Sequence, residues 1–247
     1  MRLDLFLAER GLAKSRTEAA RLIEEGSVTV SGTVRRKAAF PIDEATPIEQ
    51  VSVSREGHPF VSRGGEKLAA ALSAFSLSPC GCRALDVGAS SGGFTDCLLR
   101  NGALTVFAVD AGHGQLAPSL RSDPRVLSFE QYNARFLRRE DFTEVPDFAV
   151  MDVSFISATL IIPALSAVLA EHAPFICLIK PQFEVGREGL GKGGIVKDDR
   201  LRREAVARVI ASATAFGFQH LGTIDSPILG GDGNREYLAA FRKESTV

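Results

Sequence analysis

The chain has 247 residues, 45% of them hydrophobic and 24% charged, with a net charge of −1. That composition excludes a disordered or collagen-like chain and predicts a soluble globular protein, either one large domain or a small plus a medium one. A pI near 6.4 excludes a global pull towards nucleic acid, so any basic surface must be local.

In chain order, Asp4 is placed to cap a short helix over LFLAER that stops at Gly11. Ser15 and Glu18 stand at capping-box spacing, and a second helix runs through AARLIEE to Gly26. VTVSGTVRR predicts a hairpin around Ser31-Gly32. Two helices and a small β unit make a compact α+β module. The N-terminus is charged throughout and has no apolar core of signal-peptide type. SREGHPF, polar with Gly and Pro, marks the connection onwards. The chain divides into a small module, 1–57, a linker, 58–63, and a large domain, 64–247.

The large domain alternates. Strands are predicted at ALDVG, LTVFAVD, RVLSFE, DFAVMDVSF, FICLIK, FQHLGTIDS and REYLAAFR, and helices near 64–76, 93–101, 115–121, 158–171 and 198–216. Alternation of this kind implies an α/β fold, a Rossmann-like doubly wound sheet of about seven strands. The most apolar region, FAVMDVSFISATLIIPALSAVLA, is broken by Asp152 and Pro163. It reads as a buried strand and a helix rather than a membrane span. Cytoplasmic location without stable membrane association is the expectation. Cys97 and Cys177 sit in apolar segments, and Cys80 and Cys82 fit no zinc spacing, so no metal is expected.

DVGASSGGF stands at a strand's carboxyl end, where open α/β sheets bind ligands. Gly88, Gly92 and Gly93 allow close backbone approach, and the following helix start offers free N–H groups. The spacing G-x-x-x-G-G is not the dinucleotide fingerprint, and no lysine follows to make a P-loop. Asp110 closes the next strand 22 positions past Gly88, near the spacing of a ribose-binding acid. Asp86, inside the first strand, is placed near a ligand ammonium. A ligand with a carboxylate, an ammonium and a ribose is S-adenosylmethionine. Ser90 and Phe94 lie in the same loop and helix start. The competing reading is a plain strand–helix turn that uses glycine for packing.

Charged residues fall where other elements end or begin: Asp152 in VMDVSF, Lys180 in LIKPQF, Glu236 after GGDGN and Lys67 in SRGGEKL. A lysine held among charges can be tuned to serve as a base for a hydroxyl acceptor. The position after the fourth strand reads DVSF, not the Asn/Asp-Pro-Pro-aromatic turn of amine methylation, and no cysteine stands where pyrimidine carbon methylation needs one. An oxygen acceptor remains.

Together these residues carry a resemblance. LDLFLAERGLAKSRTEAARLIEEGSVTVSG resembles the S-four RNA-binding module, and the large domain resembles the FtsJ-type 2′-O-ribose methyltransferases. FVSRGGEKL, LDVGASSGGFTDCLL, AVDAGHGQL, MDVSFIS, LIKPQFEVG, GGIV and GNREYL in combination resemble the TlyA family over nearly the whole chain. The resemblance implies a catalytic tetrad at Lys67, Asp152, Lys180 and Glu236, S-adenosylmethionine as donor, and a cytidine 2′-hydroxyl of ribosomal RNA, free or in a ribosomal subunit, as acceptor. The short ends resemble members restricted to large-subunit RNA. For RNA contact, Lys14, Arg16, Arg21, Arg35, Arg36 and Lys37 cluster around the helix and hairpin, and Arg63 precedes the first helix of the large domain. Two alternatives stand beside this reading: a membrane-active haemolysin, a label the family has carried, and a non-catalytic RNA-binding assembly factor.

Overall fold

The computed structural model describes residues 1–24, 26–53, 60–230 and 233–245. The chain forms two compact units, Met1–His58 and Pro59–Val247. Most of the segment expected to connect them, 54–59, lies outside the described residues, as do Gly231 and Asp232 of the GGDGN turn.

In the first unit, α1 (Leu3–Glu9) and α2 (Arg16–Glu24) pack on a three-stranded antiparallel sheet of order β2-β1-β3. Its strands are β1 (Val28–Val30), β2 (Thr33–Arg35) and β3 (Val51–Val53). The expected hairpin forms, with positive φ at Ser31 and Gly32 as a tight two-residue turn requires. Two details differ from the sequence reading. Strand β3 falls in a stretch of the small module for which the sequence suggests no element. Asp4 is not the cap of α1: Arg2 occupies that place, and Asp4 lies in the first turn, 3% exposed. There it accepts ion pairs from Arg2 at 2.9 Å and Arg16 at 3.1 Å. The hydrogen bonds from the Arg2 guanidinium, ahead of those from Arg16, bring its carboxyl down to about 2.

The second unit is a seven-stranded sheet of order β6-β5-β4-β7-β8-β10-β9. The strands are β4 (Arg83–Val87), β5 (Thr105–Val109), β6 (Val126–Phe129), β7 (Phe148–Met151), β8 (Pro174–Ile179), β9 (Phe218–Asp225) and β10 (Tyr237–Lys243). Strands β4 to β8 run parallel, and β10 is antiparallel to both β8 and β9. The parallel strands are nearly continuous apolar runs because helices cover both faces. Alternate residues divide between two cores. Leu85, Val87, Phe107 and Val109 join Ile162, Leu165 and Val209 on one face, and Ala84, Val106 and Ala108 join Leu68 and Leu98 on the other.

Helices α3 (Gly64–Ala74) and α4 (Gly93–Arg100) lie on the second face, and α6 (Ile162–Val168) and α8 (Asp199–Ala215) on the first. Two expected helices are shorter than their sequence spans. The one near 115–121 is a single turn, α5 (Pro118–Arg121), begun by its proline. The one near 158–171 is a 3-10 turn at Ala158–Leu160 followed by α6, which Pro163 restarts. A further single turn, α7 (Pro181–Glu184), follows Lys180 directly. Chain order reverses between β4 and β7, so the carboxyl ends of those strands open a crevice.

Candidate active site

The crevice is crowded at its floor. Gly88 has φ +86, and a Cβ there would stand 2.4 Å from the backbone oxygen of Asp152, so only glycine lets the turns after β4 and β7 meet. Beyond it Ser90 takes a left-handed φ of 49 and donates its backbone N–H to Asp110 Oδ2 at 2.8 Å. Gly112 N donates to the other oxygen at 2.7 Å. Asp110 thus ties two loops together and presents its remaining lone pairs to a cavity of about 390 Å³, lined by Gly88, Ser90, Asp110, Tyr132, Asp152 and Ser154 among others. Gly92, Gly93 and Phe94 do not line it. A Cβ on Gly92 would meet Leu120 at 2.2 Å, one on Gly93 would meet Ser62 Oγ at 2.3 Å, and Phe94 is 3% exposed in the core. Here packing accounts for the glycines that follow Gly88.

Asp86 is fully buried. Its Oδ2 accepts from Thr95 Oγ1 at 2.6 Å, and its Oδ1 has no hydrogen-bond partner among the described residues. Burial pushes its carboxyl up to about 7, against the opposing bond from Thr95. Asp86 does not line the cavity, but its orphaned oxygen, with Asp110 at the cavity wall, fits a ligand that brings an ammonium and a pair of hydroxyls.

At the other side of the crevice stand two lysine–acid pairs. Asp152 ends β7 and Lys180 ends β8, and Lys180 Nζ lies 2.6 Å from Asp152 Oδ1. Tyr237 of β10 pairs with Ile179 of β8, so Glu236 arrives beside Lys180 from the opposite strand direction. Lys67, on α3, reaches across to ion-pair with Glu236 Oε2, both side chains nearly buried. A Cβ on Gly230 would lie 2.3 Å from Glu236 Oε1, so the turn before β10 is glycine-tight around this acid. The four charged residues singled out in sequence therefore form two pairs, one where β7 and β8 end and one between α3 and the start of β10. Arg63, half-buried before α3, feels both Glu66 and Glu236, but burial dominates and lowers its pKa.

The basic residues of the first unit divide. Lys14, Arg21 and Lys37 are exposed. Arg16 is held by Asp4, Arg35 lies over the Phe40 ring at 4.2 Å, and Arg36 donates to the backbone oxygen of Glu24.

Four residues escaped the sequence reading. Ser154 Oγ accepts from Lys180 Nζ at 2.8 Å. Phe155 is 91% exposed, has φ 64 and packs its ring 5.2 Å from that of Phe183. Glu184, 6% exposed, accepts from Ser157 Oγ and from Ala158 N, the latter at 2.8 Å; burial raises its pKa. Asn234, 1% exposed, accepts from Val196 N and donates to the Gly194 oxygen, fastening the 191–196 segment to the turn before Glu236. For Ser154 and Phe155 a signal existed, namely their place beside Asp152 in DVSF.

Comparison with known proteins accords with this geometry. FtsJ-like methyltransferases match residues 60–243, and the S4 domain matches residues 1–47. The chain belongs to the FtsJ-like methyltransferase family. It is 43% identical over 244 residues to the 16S/23S rRNA (cytidine-2′-O)-methyltransferase TlyA of Mycobacterium tuberculosis, covering 99% of this chain and 90% of that one. It is 31% identical to the 23S rRNA (cytidine-2′-O)-methyltransferase TlyA of Campylobacter jejuni, covering 98% of this chain and 100% of that one. A solved structure of a putative hemolysin from Streptococcus thermophilus is 42% identical with a TM-score of 0.78, covering 100% of this chain and 89% of that one. S-adenosylmethionine is the cofactor of this family, so the donor expected from the glycine-rich turn and Asp110 is the family's own.

Proposed function

We propose that this protein transfers a methyl group from S-adenosylmethionine to the 2′-hydroxyl of a cytidine in ribosomal RNA. The observation that carries the reading is the pair of lysine–acid contacts: Lys180 with Asp152 where β8 and β7 end, Asp152 lining the cavity, and Lys67 of α3 with Glu236 just before β10. Large-subunit RNA is the acceptor, because 23S RNA is common to the two relatives named above for cytidine methylation. The first unit, 1–57, supplies RNA affinity, and the large domain, 64–247, supplies the chemistry; the work takes place on ribosomal RNA in the cytoplasm.

S-adenosylmethionine brings an electrophilic methyl group. Everything else falls to this chain. Asp110 accepts from the ribose hydroxyls, Asp86 answers the ammonium, and the turn at Gly88 and Ser90 shapes the approach, with Gly92, Gly93 and Phe94 packed behind it. Lys180 takes the proton of the acceptor hydroxyl, Asp152 balances its charge, and Glu236 holds Lys67 where it can orient the acceptor ribose.

Mapping 2′-O-methylation of ribosomal RNA from cells with and without the protein tests the reading. A cytidine methylated only when the protein is present is expected; identical maps contradict it. A pore-forming role predicts leakage from liposomes instead. Among the described residues no helix is long and apolar enough to cross a membrane.

A further inference from the structure

We infer that Ser154 is a positioning residue for this reaction, fixing the direction of the Lys180 amine. The inference rests on the proposed role of Lys180. Lys180 Nζ lies 2.6 Å from Asp152 Oδ1 as an ion pair, and among the described residues that oxygen has no hydrogen-bond partner. The hydrogen bond from Lys180 Nζ to Ser154 Oγ is 2.8 Å long. Asp152 supplies charge, and the hydrogen bond to Ser154 supplies direction. Both partners line the cavity, so together they fix the amine at its wall.

The backbone is bent to put the serine there. Phe155, the next residue, has φ 64, a left-handed conformation unfavourable for a bulky side chain. Strain of this kind persists only between fixed points. One is the Lys180–Ser154 bond. The other is Glu184, which accepts from Ser157 Oγ and Ala158 N. Lys180 and Glu184 bracket the single turn α7, so the 154–158 segment is clamped at both ends by one short helix. Ser154 is itself exposed, so its replacement leaves the core intact.

The test is single-turnover methyl transfer to ribosomal RNA by the parent, Ser154→Ala, Ser154→Thr, Lys180→Ala and the Ser154→Ala/Lys180→Ala double variant, with cofactor and RNA affinities measured alongside. Ser154→Ala is expected to slow transfer about tenfold, the scale of one lost hydrogen bond, with both affinities unchanged. Ser154→Thr, which keeps the hydroxyl, restores most of the rate. In the Lys180→Ala background the loss of Ser154 costs nothing further, since the group it positions is gone. Ser154→Ala at the parent rate, or a tenfold penalty that persists without Lys180, overturns the inference. Lys180→Ala at the parent rate removes the proposed role of Lys180 itself. A slow Lys180→Ala beside a fast Ser154→Ala removes only the role of Ser154.

Discussion

Lys67 and Glu236 stand 169 residues apart in the chain and share an ion pair whose side chains are 9% and 3% exposed. Removing one member strands the other in a low-dielectric place. Lys67→Met is expected to destabilise the large domain by about 3–5 kcal/mol, and adding Glu236→Gln should recover much of that loss. Denaturant unfolding of the single and double variants measures both. A double variant whose loss equals the sum of the two single losses would mean that the pair contributes no coupling.

In its proposed role at the ligand ammonium, Asp86 would link proton and cofactor binding. Folded, cofactor-free Asp86 holds its proton up to about pH 7, whereas an unfolded aspartate releases it near 4. Between those values the folded protein binds more protons than the unfolded one, so this group's contribution to stability falls as pH rises. A ligand ammonium favours the ionised carboxylate, so cofactor affinity should increase with pH up to about 7 and then level off. Asp86→Asn should flatten that profile and make the free protein more stable at pH 8. Calorimetry across pH, in two buffers of different ionisation enthalpy, reads the released proton; a flat profile in the parent contradicts the assignment.

Asp110 carries a double load. Asp110→Ala should weaken S-adenosylmethionine by about 1–3 kcal/mol, the range for a lost hydrogen-bonding charge, and it also releases the Ser90 and Gly112 amides. Titration with S-adenosylmethionine and with NAD checks the cofactor as well as the residue. Parent-like affinity in the variant contradicts the role, and binding of NAD alone contradicts the cofactor.

The architecture of the large domain was legible because its signals are local. Apolar runs, a glycine-rich turn and charges at strand ends can be read within a few residues, and the lysine–acid positions followed from the resemblance those motifs carry. What escaped depends on distant partners. Strand β3 exists only because Val51 and Val53 pair with Val30 and Val28 of β1. Asp4 has capping chemistry, but the guanidinium of Arg2, and that of Arg16 twelve residues on, engage it within the helix's first turn. Glu184 and Asn234 look like ordinary loop residues until the fold brings Ala158 and Val196 to them, 26 and 38 residues away.

Lys14 and Lys37 are exposed and make the simplest probes of RNA affinity in the first unit. Lys14→Ala and Lys37→Ala should each weaken RNA binding and lower the magnitude of the salt slope by about 0.7–0.9 for each phosphate no longer neutralised, with cofactor affinity unchanged. Filter binding across a salt series measures it, and an unaltered slope places the RNA-binding surface elsewhere.

Lys180→Arg separates a base at Lys180 from a fixed positive charge there. A guanidinium keeps the positive charge but cannot accept a proton. Single-turnover transfer to ribosomal RNA, with the 2′-O product mapped and both affinities measured, should show a loss of about 100- to 10,000-fold with cofactor and RNA still bound. A Lys180→Arg variant nearly as fast as the parent would contradict a base at Lys180, leaving it a fixed positive charge and moving the search for the base to Lys67.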